Sequence, residues 1–291
     1  MKVGFVGLGV MGGPMASNVV RKGFAVRAYD INVEKRNALR VAGAEPVDRV
    51  TELAAWADVI IFMLPGPKQI RESALEVKAT AQPGTIIVDM STSDPTLDRE
   101  MAEALGEKNI LWLDAPVSRA VPAAVAGTLL TMVGGEASTL ERVRTVLAAM
   151  ATDIVHIGPV GAGHVMKLLN NLKIMAEVAL MAEVVKLGIR SGIPADTIDK
   201  VLRTSSADSF MWRYQVPRMS SSNFVPGFSI DHGHKDLALA RHWAEHVGMK
   251  LTMGSTAIGL FELAQRLGHG AEDTAVLVKV PEQEFAKTQS D

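Results

Sequence analysis

The chain opens with the stretch Met1–Met15, MKVGFVGLGVMGGPM, and this stretch decides the fold of the N-terminal half. Val3–Val6 is a short apolar run typical of a buried strand, and it leads directly into Gly7-x-Gly9-x-x-Gly12. The first glycine suits a tight turn, the second removes a Cβ that would meet bound phosphates, and the third lets the next helix pack closely. The start of that helix offers N–H groups to an anion. The pattern predicts a dinucleotide-binding turn; the alternative is a purely structural strand–helix turn.

An acidic residue follows this turn at the distance typical of a ribose contact. Asp30 ends the apolar run Ala25–Tyr29, eighteen positions after the third glycine. A carboxylate here accepts hydrogen bonds from the adenosine ribose hydroxyls and repels a 2′-phosphate. Ile31 offers no cation to that phosphate, whereas Lys35 and Arg36 are either solvated helix residues or a weak phosphate contact. We therefore predict NAD as the cofactor in preference to NADP.

Composition narrows the class of protein. The 291 residues are enough for about two domains, and 30 Lys+Arg against 32 Asp+Glu gives a formal net charge of -2. This balance argues against nucleic acid or an anionic membrane as the main partner. The chain has no cysteine, which excludes disulfides and thiolate chemistry. His232 and His234 are two residues apart, a poor spacing on one helix, and we predict no metal site.

The apolar segments indicate a soluble protein. Lys2 is followed at once by a glycine-punctuated strand and not by the continuous apolar region of a signal peptide. The longest apolar helical stretch, Met175–Val185, is interrupted by Glu177 and Glu183, which argues against a membrane span. We expect a soluble protein of the cytoplasm.

Two patterns divide the chain. Up to about Gly158, apolar strands alternate with helical segments, which predicts a mostly parallel sheet covered on both faces. The predicted strands are Val3–Val6, Ala25–Tyr29, Val59–Leu64, Thr85–Asp89, Leu111–Asp114, Leu129–Val133 and Ile154–Ile157. The predicted helices between them are Pro14–Lys22, Val33–Ala42, Pro67–Glu76 and Pro95–Glu107. Ala123–Gly127 is predicted to be a short linker, after which the last strands form an antiparallel edge.

The strand pattern disappears after the break at Gly158–Gly163. His164–Ile189 is predicted to be one long helix, and the remainder is predicted to be helical. The later predicted segments are Ala195–Thr204, Phe210–Met219, His234–Val247, Gly254–Leu267 and Glu272–Lys287. We predict a nucleotide-binding domain over residues 1–162 and a helical domain over residues 163–291.

Polar residues stand out on the long helix. Lys167 and Asn171 are four residues apart and share a face, with Asn170 beside them, among apolar neighbours. Burial would lower the pKa of the lysine toward neutrality, which suits general acid–base work on a hydroxyl. The alternative is that Lys167 extends to the surface and the asparagines bridge neighbouring helices.

Two further segments carry polar groups near strand or helix ends. Asp114-Ala-Pro-Val-Ser118 ends a predicted strand, on the side where open α/β sheets bind ligands. The Ser118 hydroxyl can donate to a carboxylate or to a developing alkoxide. In His234-Lys-Asp-Leu237, Lys235 can reach a cofactor and Asp236 can orient a lysine; the alternative is a solvated helix start.

Taken together, these motifs resemble the β-hydroxyacid dehydrogenase family. The resemblance is carried by GFVGLGVMGGPMASN, Leu64-Pro65, Asp89-Met-Ser-Thr92, Asp114–Ser118, GAGHVMKLLNN and His234–Leu237, in the family's order from Met1 to about Asp273. It implies an α/β Rossmann domain, then a long interdomain helix and an all-α C-terminal domain for substrate binding and oligomerisation. It also implies hydride transfer between NAD(P) and a small anionic 3-hydroxy acid or semialdehyde, in a homodimer or homotetramer.

The resemblance also assigns roles. Lys167 is the expected general acid/base, Asn171 positions it and the substrate, and Ser118 holds the carboxylate. The expected substrate-binding residues are Ser118, Arg119, Ala120, Asn170 and Asn171. The expected cofactor-binding residues are Gly7, Leu8, Gly9, Val10, Met11, Gly12, Asp30, Leu64, Pro65, Thr92 and Lys235.

One segment departs from the family pattern. Two glycines usually follow the serine, and this chain has Arg119-Ala120-Val121-Pro122 instead. A guanidinium at this position is suited to binding an anion. In this respect the segment resembles the sulfolactaldehyde reductase branch, and the resemblance predicts a sulfonated or dicarboxylic semialdehyde as the substrate. That branch carries a small polar residue near Ile174, which this chain lacks. The alternative is that Arg119 points to solvent or to the cofactor pyrophosphate.

Two other functions compete with this hypothesis. An imine reductase has the same architecture but usually replaces the catalytic lysine, so Lys167 argues against it. The other is a catalytically silent NAD-binding regulator, against which Lys167, Asn171 and Ser118 also argue.

Overall fold

The computed structural model describes residues 1–288, which divide into two compact units. The first unit is Met1–Lys167, and the second begins at Leu168. The boundary lies five residues beyond the predicted one, because the long helix begins inside the first unit.

The first unit alternates strands and helices. Its strands are β1 (Lys2–Val6), β2 (Ala25–Tyr29), β3 (Glu45–Pro46), β4 (Val59–Phe62), β5 (Ile86–Asp89), β6 (Leu111–Asp114), β7 (Val117–Ser118), β8 (Leu129–Gly134) and β9 (Ala151–Gly158). Its helices are α1 (Gly12–Arg21), α2 (Val33–Val41), α3 (Val50–Ala54), α4 (Pro67–Thr80), α5 (Pro95–Gly106), α6 (Ala120–Ala126) and α7 (Ala137–Leu147), followed by the start of α8 (Ala162–Arg190).

The strands form one sheet in the order β3-β2-β1-β4-β5-β6-β8-β7, with β9 beside β8. The pairs from β3 to β6 are parallel, whereas β8 runs antiparallel to both β6 and β7. The predicted parallel sheet with an antiparallel part is therefore confirmed. The strand order reverses between β1 and β4, and ligands of open α/β sheets bind at such a switch point, outside the carboxyl ends of the strands.

Alternation along the strands builds the core on both faces of the sheet. Val3 and Phe5 of β1 pack into one buried cluster, whereas Val6 packs into the other. In β4, Ile61 and Phe62 divide between the two clusters in the same way. Successive side chains of a strand point to opposite faces, so a strand covered on both sides needs an unbroken apolar sequence.

Some elements of the first unit differ from the sequence prediction. The predicted linker Ala123–Gly127 is wrong, because these residues belong mostly to α6, which ends at Gly127 with a φ of 72°. The prediction also omitted β3, α3, β7 and α7. For α7 the signal was present, since Leu140, Val143 and Leu147 recur at helical spacing and are buried.

The second unit is helical, as predicted. It comprises α8 from Leu168 onward, α9 (Ala195–Leu202), α10 (Phe210–Ser220), α11 (Ile230–His246), α12 (Met253–Arg266), a 3₁₀ helix (Thr274–Lys279) and α13 (Glu282–Thr288). Its core is an apolar cluster that includes Val178, Ala182, Leu237 and Phe261. No helix in residues 1–288 combines the length and apolar character needed to cross a membrane.

The predicted C-terminal helix Glu272–Lys287 is two shorter helices. Val280, between them, is extended with a ψ of 124°, and Pro281 follows it. Proline disfavours helical backbone at the preceding residue, so a continuous helix cannot pass this point easily.

Candidate active site

The glycine turn after β1 has the backbone geometry that its sequence predicts. Gly7 has a φ of +95°, and a Cβ there would lie 2.2 Å from the carbonyl oxygen of Met63. A Cβ on Gly12 would lie 2.0 Å from the carbonyl oxygen of Gly7. A Cβ on Gly9 would have no atom of the described residues within 4 Å, so this face of the turn is open in that part of the chain. A closed turn with one open face fits a dinucleotide pyrophosphate.

Helix α1 presents an uncompensated positive end beside this turn. Met11 is its N-cap residue, and neither a side-chain cap nor an acidic residue occupies its first turn. The partial charge of the helix dipole there is therefore available to an anion. Val10 is largely exposed on the same turn, and its contact with the cofactor stays a prediction.

Asp30 is bound directly to the glycine turn. One carboxylate oxygen accepts the Leu8 N–H at 2.7 Å, and the other accepts the Asn32 N–H at 2.8 Å. The residue is nearly buried, whereas the adjacent Ile31 is 89% exposed. Of the two nearby cations, Arg36 bonds through Nη1 to the Val47 carbonyl and the Asp48 carboxylate. Two backbone N–H groups thus hold the acid in place beside the glycine turn, and its contact with a ribose stays a prediction.

The segments after β4 and β5 are joined through one serine. The Ser91 hydroxyl accepts the Leu64 N–H at 2.9 Å, and the Ser91 N–H donates to Asp89 Oδ1 at 3.0 Å. Leu64-Pro65 and Thr92, predicted to contact the cofactor, therefore lie on two backbone segments held in a fixed relation. Both follow the carboxyl ends of the parallel strands β4 and β5, the edge where open α/β sheets bind ligands. The predicted strand Val59–Leu64 included Leu64, whereas β4 ends at Phe62.

The backbone at the predicted substrate segment is left-handed. Arg119 has a φ of 87° and Ala120 a φ of 57°, between Ser118 at the end of β7 and the body of α6. Left-handed backbone costs an L-residue about 1 kcal/mol and is the region that glycine occupies freely. The turn therefore has, at both positions, backbone that glycine adopts freely, although neither glycine of the family pattern is present.

The Arg119 side chain is engaged within the first unit. Its Nη1 donates to the Thr128 carbonyl at 3.0 Å, to Thr152 Oγ1 at 3.1 Å and to Asp153 Oδ2 at 2.6 Å. The hydrogen bond from Arg119 lowers the pKa of Asp153. Binding of a substrate anion by Arg119 stays a prediction, and the geometry gives the guanidinium a structural partner on β9.

The sequence interpretation missed a buried charged cluster at the start of α8. His164 is fully buried; its Nδ1 lies 2.6 Å from Asp98 Oδ2, and its Nε2 lies 3.1 Å from the Ser91 carbonyl oxygen. Burial opposes the charge of this imidazole, but Asp98, Asp89 and Asp114 outweigh it and raise the pKa of His164 to about 10. Asp98 also accepts the indole N–H of Trp112 at 3.2 Å.

Two further aspartates complete this cluster, from paired positions at the ends of β5 and β6. Asp114 accepts the backbone N–H groups of Gly161 at 2.7 Å and His164 at 2.9 Å, and so caps α8. Burial raises the pKa of Asp89 to about 6, and within residues 1–288 its buried Oδ2 has no hydrogen-bond partner. Both aspartates belong to the family motifs, and the sequence interpretation assigns neither of them a role.

The same cluster bears on the prediction that the chain has no metal site. One ligand atom from each of Asp89, Asp98 and His164 lies within 4.8 Å of the others, a grouping that is compatible with an ion. Both nitrogens of His164, however, already face hydrogen-bond acceptors. The imidazolium itself supplies the positive charge that these carboxylates need.

In the second unit, a hydrogen-bonded set surrounds Asn171. Its Nδ2 donates to Asp236 Oδ2 at 2.5 Å, and its Oδ1 accepts from Asn170 at 2.9 Å. Lys235 Nζ forms an ion pair with Asp236 Oδ1 at 3.2 Å, without hydrogen-bond geometry. Both Asn171 and Asp236 are buried. For Asp236, therefore, the alternative that His234–Leu237 is a solvated helix start does not hold.

Lys167 is the sixth residue of α8 and the last of the first unit. It is half-buried, and Asn171 follows it by one helical turn. The structure thus retains the helical spacing on which the catalytic prediction depends, whereas the lowered pKa of the lysine stays a prediction.

Comparison with known proteins identifies the class. Residues 2–158 match the family model described as the NAD binding domain of 6-phosphogluconate dehydrogenase. Residues 161–281 match the model described as NAD-binding of NADP-dependent 3-hydroxyisobutyrate dehydrogenase.

Three relatives match nearly the whole chain. The 2-(hydroxymethyl)glutarate dehydrogenase of Eubacterium barkeri is 35% identical, with 97% of this chain and 95% of the relative aligned. The NAD-dependent L-serine dehydrogenase of Pseudomonas aeruginosa is 33% identical, with 96% and 97% aligned. The structure of Mycobacterium tuberculosis 3-hydroxyisobutyrate dehydrogenase with L-serine has a TM-score of 0.89 at 33% identity, over 96% of this chain and 98% of that one.

The fold and the matched sequence define a dehydrogenase with an NAD(P)-binding Rossmann domain and a helical domain. The chain belongs to the β-hydroxyacid dehydrogenase family and is an enzyme of the 3-hydroxyacid dehydrogenase type. The family resemblance inferred from the sequence motifs is confirmed.

Proposed function

We propose that the protein transfers hydride between NAD and a small 3-hydroxy acid or its semialdehyde, with Lys167 as general acid/base. The observation that carries the proposal is the buried hydrogen bond between Asn171 and Asp236. It fixes a buried amide one helical turn beyond Lys167, and burial of an amide is costly unless the amide is hydrogen-bonded. A positioned amide beside a lysine suits the binding of a hydroxyl or carbonyl oxygen.

The residues of this chain supply the proton chemistry. When bound, NAD supplies the hydride acceptor or donor. For oxidation, the neutral amine of Lys167 takes the proton of the substrate hydroxyl, while the carbon that bears this hydroxyl gives up its hydride to the cofactor. For reduction, the ammonium form polarises the carbonyl and donates the proton to its oxygen. The Ser118 hydroxyl donates to the substrate carboxylate, and Asn171 holds the reacting oxygen.

We propose NAD as the cofactor in preference to NADP. The support comes from Asp30, whose carboxylate is fixed beside the glycine turn, where it repels a 2′-phosphate. The neighbouring Arg36 is engaged with Val47 and Asp48, so it is not free to turn toward that phosphate. Gly7, Gly9 and Gly12 do not distinguish the two cofactors.

The substrate is proposed from chemistry shared by the relatives. Their names specify L-serine, 3-hydroxyisobutyrate and 2-(hydroxymethyl)glutarate, each with a hydroxyl on the carbon β to a carboxylate. A second candidate is a dicarboxylic or sulfonated substrate whose extra anion binds Arg119. The relative that acts on 2-(hydroxymethyl)glutarate, a dicarboxylate, favours the dicarboxylic form.

A substrate panel with NAD and NADP tests the proposal. It contains 3-hydroxyisobutyrate, L-serine, glycerate, 4-hydroxybutyrate, 2-(hydroxymethyl)glutarate and dihydroxypropanesulfonate, with NADH formation as the readout. We expect turnover of at least one β-hydroxy acid with NAD. NADH binding by fluorescence without turnover of any compound would contradict the enzymatic proposal and favour a silent NAD-binding regulator.

We also propose a homodimer or homotetramer located in the cytoplasm. Support for self-association comes from large apolar side chains exposed on α8, namely Leu169, Leu180 and Leu187. Light scattering of the purified protein tests the oligomeric state, and a monomeric mass would contradict it.

A further inference from the structure

We propose that His164 is a positioning residue of the reaction: its imidazolium ties the start of helix α8 to the backbone after β5 that bears Thr92, and Lys167 lies in the next turn of the same helix. The inference rests on the proposed function, since it concerns the placement of the proposed acid/base. The role of His164 is exerted through Lys167 and not by contact with substrate or cofactor.

His164 carries a positive charge in this site. Its Nε2 faces the Ser91 carbonyl, which can only accept, so this nitrogen carries a hydrogen. Its Nδ1 lies 2.6 Å from a carboxylate oxygen of Asp98. A ring that donates from both nitrogens is an imidazolium, and a buried cation of this kind is stable only with hydrogen-bonded anionic partners.

Ser91 joins three parts of the site. Its carbonyl accepts from His164, its hydroxyl accepts the Leu64 N–H, and its own N–H donates to Asp89. All three polar groups of this residue are therefore used at once. The serine connects the helix start to both backbone segments that carry predicted cofactor contacts.

The start of α8 is held from several sides. Asp114 accepts the backbone N–H groups of Gly161 and His164, so the helix start is fixed to the end of β6. A Cβ on Gly163 would lie 2.3 Å from the carbonyl oxygen of Met132, so the helix already lies as close to β8 as a backbone can. The His164 side chain adds a hydrogen bond to helix α5, between its Nδ1 and Asp98 Oδ2.

Lys167 lies three residues further along the same helix. Three residues advance about 4.5 Å along an α-helix, less than one turn, so a rotation of the helix start moves the lysine with it. A displacement of about 1 Å in a catalytic group can reduce the rate about 10²-fold. The buried ion pair therefore affects the chemical step although it lies outside the reacting groups.

The test compares His164→Gln and Asp98→Asn with a matched control, Leu105→Ala. Leu105 lies on the same helix as Asp98, is fully buried, and has no part in the proposed site. We expect both cluster variants to lower kcat for L-serine or 3-hydroxyisobutyrate about 10²-fold. KM should change little, and the deuterium isotope effect on kcat should increase because hydride transfer becomes slower.

Two measurements are independent of turnover. NADH affinity, followed by fluorescence, should change less than about threefold, because the glycine turn and Asp30 are untouched. Amide hydrogen exchange in a peptide spanning residues 159–170 should accelerate in His164→Gln and Asp98→Asn but not in Leu105→Ala. If His164→Gln does not fold, the double variant Asp98→Asn/His164→Gln, which removes both charges, replaces it.

The outcomes distinguish the positioning role of His164 from the proposed substrate class. Wild-type kcat in the cluster variants, or an equal loss in Leu105→Ala, overturns the positioning role. Unchanged exchange in residues 159–170 also overturns it. A wild-type protein that oxidises neither L-serine nor 3-hydroxyisobutyrate, but shows the accelerated exchange in its variants, counts against the substrate proposal and supports the tie between α8 and Ser91.

Discussion

At Asp30, a single carboxylate is fixed by two backbone N–H groups, one from the glycine turn and one from the start of the next helix region. The same residue is the group that we propose discriminates between the two nicotinamide cofactors. Lys167 differs in kind, because its proposed role depends on a proton and not on a fixed charge. The two residues therefore lead to different tests.

Replacing Asp30 by Ala should weaken NAD binding about tenfold and reduce its advantage over NADP. A hydrogen bond to a charged group contributes about 1.5–3 kcal/mol, and about 1.4 kcal/mol corresponds to tenfold. Glu34→Ala, on the exposed face of α2, is the control, and fluorescence titration with NADH and NADPH is the measurement. Unchanged affinities for both cofactors would mean that the acid does not lie on the ribose.

Replacing Lys167 by Ala should lower kcat about 10²- to 10⁴-fold, the range of general acid–base catalysis, while NADH affinity stays near that of the wild type. Lys173→Ala is the matched control, because Lys173 is an exposed lysine on the same helix that pairs with Glu177. The kcat values of the two variants are compared by stopped-flow measurement of NADH formation. Comparable activity in both variants would refute the acid/base role of Lys167.

At the scale of elements, several predicted motif residues of the first unit lie at strand ends, and the ends of β5 and β6 pair Asp89 with Asp114. Asp89 ends β5, Asp114 ends β6, and Ser118 ends β7. Uniformly apolar strands made the ends of β5 and β6 predictable, because the first polar residue marks where the chain leaves the core, whereas the two-residue strand β7 was not predicted. The turn into α6 was not predictable, since nothing in Arg119-Ala120 indicates left-handed backbone.

The turn into α6 can be tested through both partners of its ion pair. Arg119→Gly removes the guanidinium and suits the left-handed φ of 87°. We expect it to raise KM for an anionic substrate more than it alters NADH affinity, if the guanidinium binds that anion. Asp153→Ala is the matched variant, since it releases the guanidinium and should leave this KM unchanged or lower.

Other outcomes change the assignment of Arg119. Equal increases of KM in Arg119→Gly and Asp153→Ala would show that this ion pair stabilises the turn and that Arg119 does not bind the substrate anion. An effect of Arg119→Gly on NADH affinity alone would move the arginine to the cofactor.

At the scale of the whole molecule, the buried cluster makes stability depend on pH. The pKa of His164 is raised from 6.5 to about 10, so between these values the folded protein keeps a proton that the unfolded chain has lost. The free energy of unfolding then falls as pH rises, by at most about 1.4 kcal/mol per pH unit for one proton. The stabilisation is complete below pH 6.5 and is lost as pH rises through about 10.

Urea unfolding across this pH range measures the effect. The wild type should lose stability steadily from pH 6.5 upward, and the double variant Asp98→Asn/His164→Gln should show a flatter dependence. Surface lysines titrate in both proteins, so the difference between the two curves isolates the cluster. Parallel curves would show that His164 is not protonated in the folded state.

The sequence by itself determined the cofactor turn, the acid at position 30, the alternation of strands and helices and the helical second unit. These features are local: glycine spacing, apolar period and helical spacing act over a few residues. Only the tertiary structure paired His164 with Asp98, 66 residues away, and Arg119 with Asp153, 34 residues away. No periodic pattern records such pairs, because chain folding alone decides which distant charges share a buried site or a turn.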